Sequence, residues 1–152
     1  MTGVQTCALP IFAVLCEGDP LFYGSFMYLH DRLAGRFRCE ITPGITSMSG
    51  GWSRVGAPMT RGDDTLAVLS ATLDEDRLTQ RLAAADAAVI MKIGRNLAKV
   101  RAALTRTGLI SRAIYVERGT MPEERITRLA DKRDDEAPYF SIVLVPTLRK
   151  TI

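Results

Sequence analysis

Histidine is almost absent from this 152-residue chain, at one residue, and cysteine is scarce, at three. His30, Cys7, Cys16 and Cys39 show no metal-ligand spacing, so the sequence offers no metal site. An odd, small number of cysteines also argues against a secreted disulfide scaffold and for a reducing cytoplasm; the three are read as small buried hydrophobes. No apolar run approaches the ~18 residues that span a membrane. The net charge is only +3 and no basic block is present, which gives nucleic acid no electrostatic footprint, although an anionic small molecule would be accommodated. A Walker lysine and a full Gly-x-Gly-x-x-Gly are both missing, so a nucleoside triphosphate or dinucleotide site is unsupported. Internal repeats and low-complexity tracts are absent as well.

What is present suits a globular α/β protein, with 47% hydrophobic and 24% charged residues. The first eleven residues, "MTGVQTCALPI", lack the basic start of a signal peptide. "VQTCALPI" back-translates into a sequencing-adapter reading frame, and residues 1–11 are expected to be a non-native segment. From there strand and helix alternate. "FAVLC" (12–16) reads as a strand buried on both faces. Phe22, Phe26, Leu29 and Leu33 recur at helical spacing up to Gly35. "FRCEI" (37–41) returns as a strand, and a small-residue helix follows from about Ser47 to Val55. "RVGAPMTRGDD" (54–64) is rich in Gly, Pro and charge and reads as a link. It divides a partial N-terminal α/β domain at 12–60 from a C-terminal α/β domain at 61–152. In the second, "TLAVLS", "AAVIMKI", "RAIYVER", "RITRLA" and "YFSIVLV" are expected strands. "DEDRLTQRLAAA" and Arg95–Thr107 are expected helices, the former started by acids that complement the helix dipole.

Two α/β halves predict a cleft, because ligands gather beyond the carboxyl ends of such strands. In "EGDP", Gly18 gives backbone freedom, Asp19 suits a helix N-cap and Pro20 suits the first helical position. That helix start would present N–H groups to a carboxylate or phosphate. "PGITS" (43–47) and "ERGT" (117–120) follow their strands in the same way. Each loop alone is compatible with a plain turn. Arg54, Arg61, Lys92 and Arg95 lie on or beside the expected cleft but read individually as solvated charges, and His30 reads as structural.

Taken together, "GDPLFYGSFMYLHDRL" (18–33), "PGITSMSG" (43–50), "RGDDTLAVLSATLDE" (61–75), "AAVIMKIGRNLAKVRAAL" (87–104), "YVERGTMPEERI" (115–126) and "PYFSIVLV" (138–145) resemble the tetrapyrrole methylases. The resemblance covers nearly everything after residue 12, and "FYGSFMYLHDRL" with "IMKIGRNLAKVRAAL" points to the branch that methylates C20 of precorrin-2 in cobalamin biosynthesis. It implies the two-domain tetrapyrrole methylase fold, with the family's first strand and its glycine-rich loop missing here. It further implies S-adenosyl-L-methionine as methyl donor, precorrin-2 as substrate, precorrin-3A as product, a cytoplasmic setting and a homodimer.

Carried over residue by residue, the cofactor site falls on Gly18, Asp19 and Phe22, on Thr46 and Ser47, on Ile93 with Lys92 as the neighbouring option, and on Gly119. For Phe22 and Ile93, core packing fits as well as contact. No catalytic residue is assigned, since in-line transfer to an electron-rich carbon rests on positioning and desolvation. Gly50-Gly51-Trp52 departs from the small residues of the family pattern. Two alternatives stay open: a methylase acting on cobalt-factor II, and a non-catalytic folded fragment. The chain as written is expected to turn over precorrin-2 poorly.

Overall fold

The computed structural model describes residues 11–148. Its contacts divide the chain into two compact units, 1–46 and 47–152. In the first, the described residues form one helix, α1 (Phe26–Leu33), which buries none of its residues. The helix expected from Phe22 therefore starts a turn later. "FAVLC" and "FRCEI" are not strands, and residues 11–17 and 37–40 are exposed. Both have strand composition, but a strand also needs a neighbour to take its N–H and C=O groups, and neither joins a ladder among the described residues. Cys16 and Cys39, expected inside, are exposed with these segments. Cys7 and nearly all of the adapter-like segment lie outside the described residues.

The second unit contains α2 (Ser47–Val55), β1 (Leu66–Ser70), α3 (Glu75–Ala83), β2 (Ala87–Met91), α4 (Leu97–Arg106), β3 (Ile114–Glu117), β4 (Arg125–Arg128) and β5 (Ser141–Val145). Helix α2, which the linker reading groups with the first half, packs here on β5. The sheet order is β1-β2-β5-β3-β4. Strand β1 runs parallel to β2, and β5 enters antiparallel between β2 and β3. Strands β1, β2 and β3 thus share one direction and end at the same edge of the sheet.

Local chemistry explains the elements. Asp74 caps α3 by accepting the Arg77 N–H at 2.8 Å, and Glu75 and Asp76 occupy the first turn. Leu78 and Leu82, four apart, face inward. In α4 the buried residues are Leu97, Val100, Ala103 and Leu104, and Gly108 leaves the helix at φ 71°. These two helices cover one face of the sheet, where Ile90, Tyr115, Val143 and Val145 meet them in one core. Helix α2 lies on the opposite face, where a Cβ on Gly51 would sit 2.7 Å from Ile142 Cδ1. Covered on both faces, β2 and β5 are buried at every residue, which is why they read as continuous apolar runs. Edge strand β4 is mostly exposed and begins and ends in arginine, a pattern that discourages pairing with other chains.

One guanidinium fastens the segment between β4 and β5. Arg101 donates to the carbonyls of Leu129 (2.7 Å), Lys132 (3.0 Å) and Asp134 (3.1 Å) and to the Asp135 carboxylate (2.9 Å). Only a planar fork reaches so many acceptors at once. Arg101→Ala is expected to lower the unfolding free energy by about 2 kcal/mol, read from urea titration, and Arg101→Lys to recover little of it. A lysine variant as stable as the parent would show that charge alone holds this segment.

Candidate functional site

In the first unit, the residues expected to bind a cofactor are drawn together by one carboxylate. Asp19 Oδ1 accepts the Leu21 N–H at 2.9 Å, and Oδ2 accepts the Gly44 N–H at 3.1 Å. Asp19 therefore closes a turn and ties "EGDP" to "PGIT", rather than capping a helix as the sequence reading expects. The N–H groups following it do not start a helix; Phe22 N–H returns to the Asp19 carbonyl at 3.3 Å. Contact between the loops is close enough to exclude a side chain. A Cβ on Gly44 would lie 2.0 Å from the Gly18 carbonyl oxygen, and Gly18 itself stands at φ 77°. Phe22 is half-buried and meets Tyr23 edge to face at 5.1 Å, while Thr46 follows directly on this loop. His30 stacks obliquely on Phe26 at 5.9 Å within α1, in keeping with a structural role.

In the second unit, Ser47 opens α2, and Ile93 and Gly119 follow β2 and β3 at the shared carboxyl edge of the sheet. Since β5 separates them, the strands that carry these loops run about 10 Å apart, two strand spacings. Ile93 is fully buried in the core, backbone included, whereas Lys92 before it is exposed and holds φ 57°. Gly119 abuts α2, where an added Cβ would meet Val116 Cγ1 at 3.1 Å and Gly51 Cα at 3.8 Å. Its neighbours Arg118 (φ 48°) and Thr120 (φ 69°) both occupy the left-handed region, at a cost of about 1–3 kcal/mol each.

A pair that the sequence reading did not join holds this loop. Arg54, read as a solvated charge, donates Nε to both Glu124 oxygens at 2.9 Å, and Glu124 Oε2 also accepts the Thr120 N–H at 2.7 Å. The Arg54 guanidinium, and after it the Thr120 N–H, keep the Glu124 carboxyl below the usual glutamate range. A carboxyl lowered in this way stabilises above its unfolded pKa and loses that contribution as pH falls through its folded one. The pair's contribution is therefore present at neutral pH and is lost as pH falls through the lowered pKa of Glu124. No local pattern marks it, because seventy residues separate the partners.

Two grooves lie elsewhere in this unit. One, of about 400 Å³, is bounded by Glu117, Arg125, Lys132 and Asp134. There Lys132 Nζ reaches Asp134 at 2.5 Å and stands 5.0 Å from the centre of the Tyr115 ring. Burial, and then its hydrogen bond to Glu117 at 3.1 Å, pushes the Tyr115 phenol up. The other groove, of about 570 Å³, runs along Ser49, Trp52 and Ser53 to Thr60, and the buried Trp52 Nε1 has no protein partner. Among the described residues, no group of three His, Cys, Asp or Glu could hold a metal ion.

Apart from Asp19, the residues expected to bind cofactor offer glycine surfaces and backbone rather than charged side chains. Such linings suit a zwitterionic ligand that needs close backbone approach. Asp19 retains lone pairs on both oxygens beyond those it already uses.

Comparison with known proteins bears on what these loops serve. The sequence pattern of the tetrapyrrole (corrin/porphyrin) methylases matches residues 11–131. Over 88% of its length the chain is 62% identical to the precorrin-2 C(20)-methyltransferase of Sinorhizobium sp, and it spans 55% of that protein. It is 47% identical, over 91% of its length, to the cobalamin biosynthesis protein CobIJ of Mycobacterium bovis, of which it spans 27%. The chain therefore spans about half, or less, of the length of these relatives. Among solved structures, a cobalt precorrin-4 methyltransferase superposes with a TM-score of 0.70 over 85% of this chain and 61% of its own, at 22% identity, which shows a common fold. The chain belongs to the tetrapyrrole (corrin/porphyrin) methylases.

Proposed function

We propose that this sequence serves S-adenosyl-L-methionine-dependent methyl transfer to C20 of precorrin-2, giving precorrin-3A in cobalamin biosynthesis. The observation that carries the reading is the 62% identity, across nearly the whole chain, to a precorrin-2 C(20)-methyltransferase. The donor supplies a sulfonium methyl for in-line displacement by an electron-rich carbon. The chain's own contribution is placement: donor contacts are assigned to Gly18, Asp19, Phe22 and Thr46 in the first unit and, separately, to Ser47, the Lys92–Ile93 loop and Gly119 in the second. No general base is assigned, consistent with a reaction that gains most from proximity and exclusion of water. A homodimer and a cytoplasmic setting belong to the same proposal.

Binding is the first test. Calorimetry with S-adenosylhomocysteine and this chain is expected to show saturable binding that Asp19→Ala weakens by about 1.5–3 kcal/mol, the scale of hydrogen bonds to a charged group. Gly44→Ala removes no polar group, yet its Cβ would meet the Gly18 carbonyl. It is expected to reduce affinity at least about tenfold by forcing the loops apart. Unchanged affinity in both variants would take this loop pair out of the site.

The reaction itself is tested by analysing the methylated product from metal-free and cobalt-loaded precorrin-2. The assay compares this chain with a version in which the unmatched segments of the sinorhizobial relative are supplied in the same polypeptide. The expected product is methylated at C20, formed from the metal-free substrate and in greater yield by the extended protein. Methylation at another carbon, or only of the cobalt-loaded substrate, would contradict the proposal.

A further inference from the structure

Backbone such as that of Arg118 and Thr120, at φ 48° and 69°, persists only where the surroundings over-determine it. Several hydrogen bonds enclose this loop. Arg118 N–H donates to the Phe140 carbonyl at 2.8 Å, Met121 N–H to the Arg118 carbonyl at 2.9 Å, and Glu124 N–H to the Met121 carbonyl at 3.1 Å. The remaining tie is made by a side chain. Glu124, only 14% exposed, accepts the Thr120 N–H and at the same time receives Arg54. Arg54 stands one turn along α2 from Gly50 and Gly51. At those two glycines the helix comes nearest the loop, a Cβ on Gly50 falling 3.5 Å from Thr120 Cγ2.

We propose that Glu124 is a positioning residue: its carboxylate, backed by Arg54, holds the Arg118–Thr120 backbone in its left-handed shape against α2 and so presets the Gly119 loop for ligand. The part that concerns ligand rests on the reading of Gly119 as a contact of the adenosyl donor. Glu124 acts through the loop and is given no contact of its own with the donor. Arg54, by the same geometry, backs Glu124 through Nε and Nη2.

The test compares Glu124→Ala and Glu124→Gln with the parent chain by amide hydrogen exchange without ligand and by calorimetry with S-adenosylhomocysteine. In the alanine variant the Thr120 amide is expected to exchange at least about tenfold faster while the core amide of Val143 keeps its rate. Affinity should fall about tenfold, the loss of one charge-assisted hydrogen bond. Glutamine keeps an acceptor oxygen for Thr120 and is expected to restore most of the protection and most of the affinity. Unchanged Thr120 exchange in the alanine variant would overturn the proposal. So would equal acceleration at Thr120 and Val143, which marks general destabilisation, or a glutamine variant no better than alanine. If the parent chain binds no S-adenosylhomocysteine, the donor-site reading fails by itself, and the exchange rates still decide whether Glu124 shapes the loop.

Discussion

Strand β5 is bonded on both edges, to β2 and β3, and covered on both faces, by α3 and α4 on one side and α2 on the other. With all four directions closed, each of its side chains must be apolar or internally satisfied. "SIVLV" meets that demand, and its one polar member, Ser141, donates to the Pro138 carbonyl at 2.7 Å. The position of β5 also spaces β2 from β3, and a Cβ on Gly51 of α2 would press on the tip of its Ile142 side chain. A substitution there would displace the end of the Ile142 side chain where α2 packs on β5. Loop placement in the second unit is thus a consequence of core packing.

Much of the second unit was legible in the sequence because its signals are local. The acidic start of α3, the spacing of Leu97, Val100 and Leu104, and the apolar runs of β2 and β5 each speak within a few residues of themselves. The misreadings occur where structure depends on distant partners. "FAVLC" and "FRCEI" have strand composition, but pairing is a property of two segments and composition reports on one. Asp19 has the residue type and context of an N-cap, yet its second oxygen goes to Gly44, twenty-five residues away. The Arg54–Glu124 pair is equally invisible locally, and Arg54 reads as one more surface charge until the fold brings the two together.

Both loop clusters are organised by the same economy of means. A single carboxylate fixes two backbone segments, Asp19 through Leu21 and Gly44, and Glu124 through Thr120 with Arg54 behind it. Glycine beside each carboxylate lets backbones meet without a side chain between them. Surfaces built this way present peptide dipoles whose orientation is fixed in advance, an arrangement that costs little entropy on binding.

The central claim is that each of these clusters, taken by itself, offers backbone surface to the adenosyl donor. Titration of isotope-labelled chain with S-adenosylhomocysteine, followed through backbone amide resonances, addresses it residue by residue. The account predicts concentration-dependent shifts at Gly18, Gly44, Thr46, Ser47, Ile93 and Gly119, with the edge strand Arg125–Arg128 unaffected. Saturable shifts confined to the groove of Glu117, Arg125 and Lys132, or to that beside Trp52, with those six amides unmoved, would contradict it.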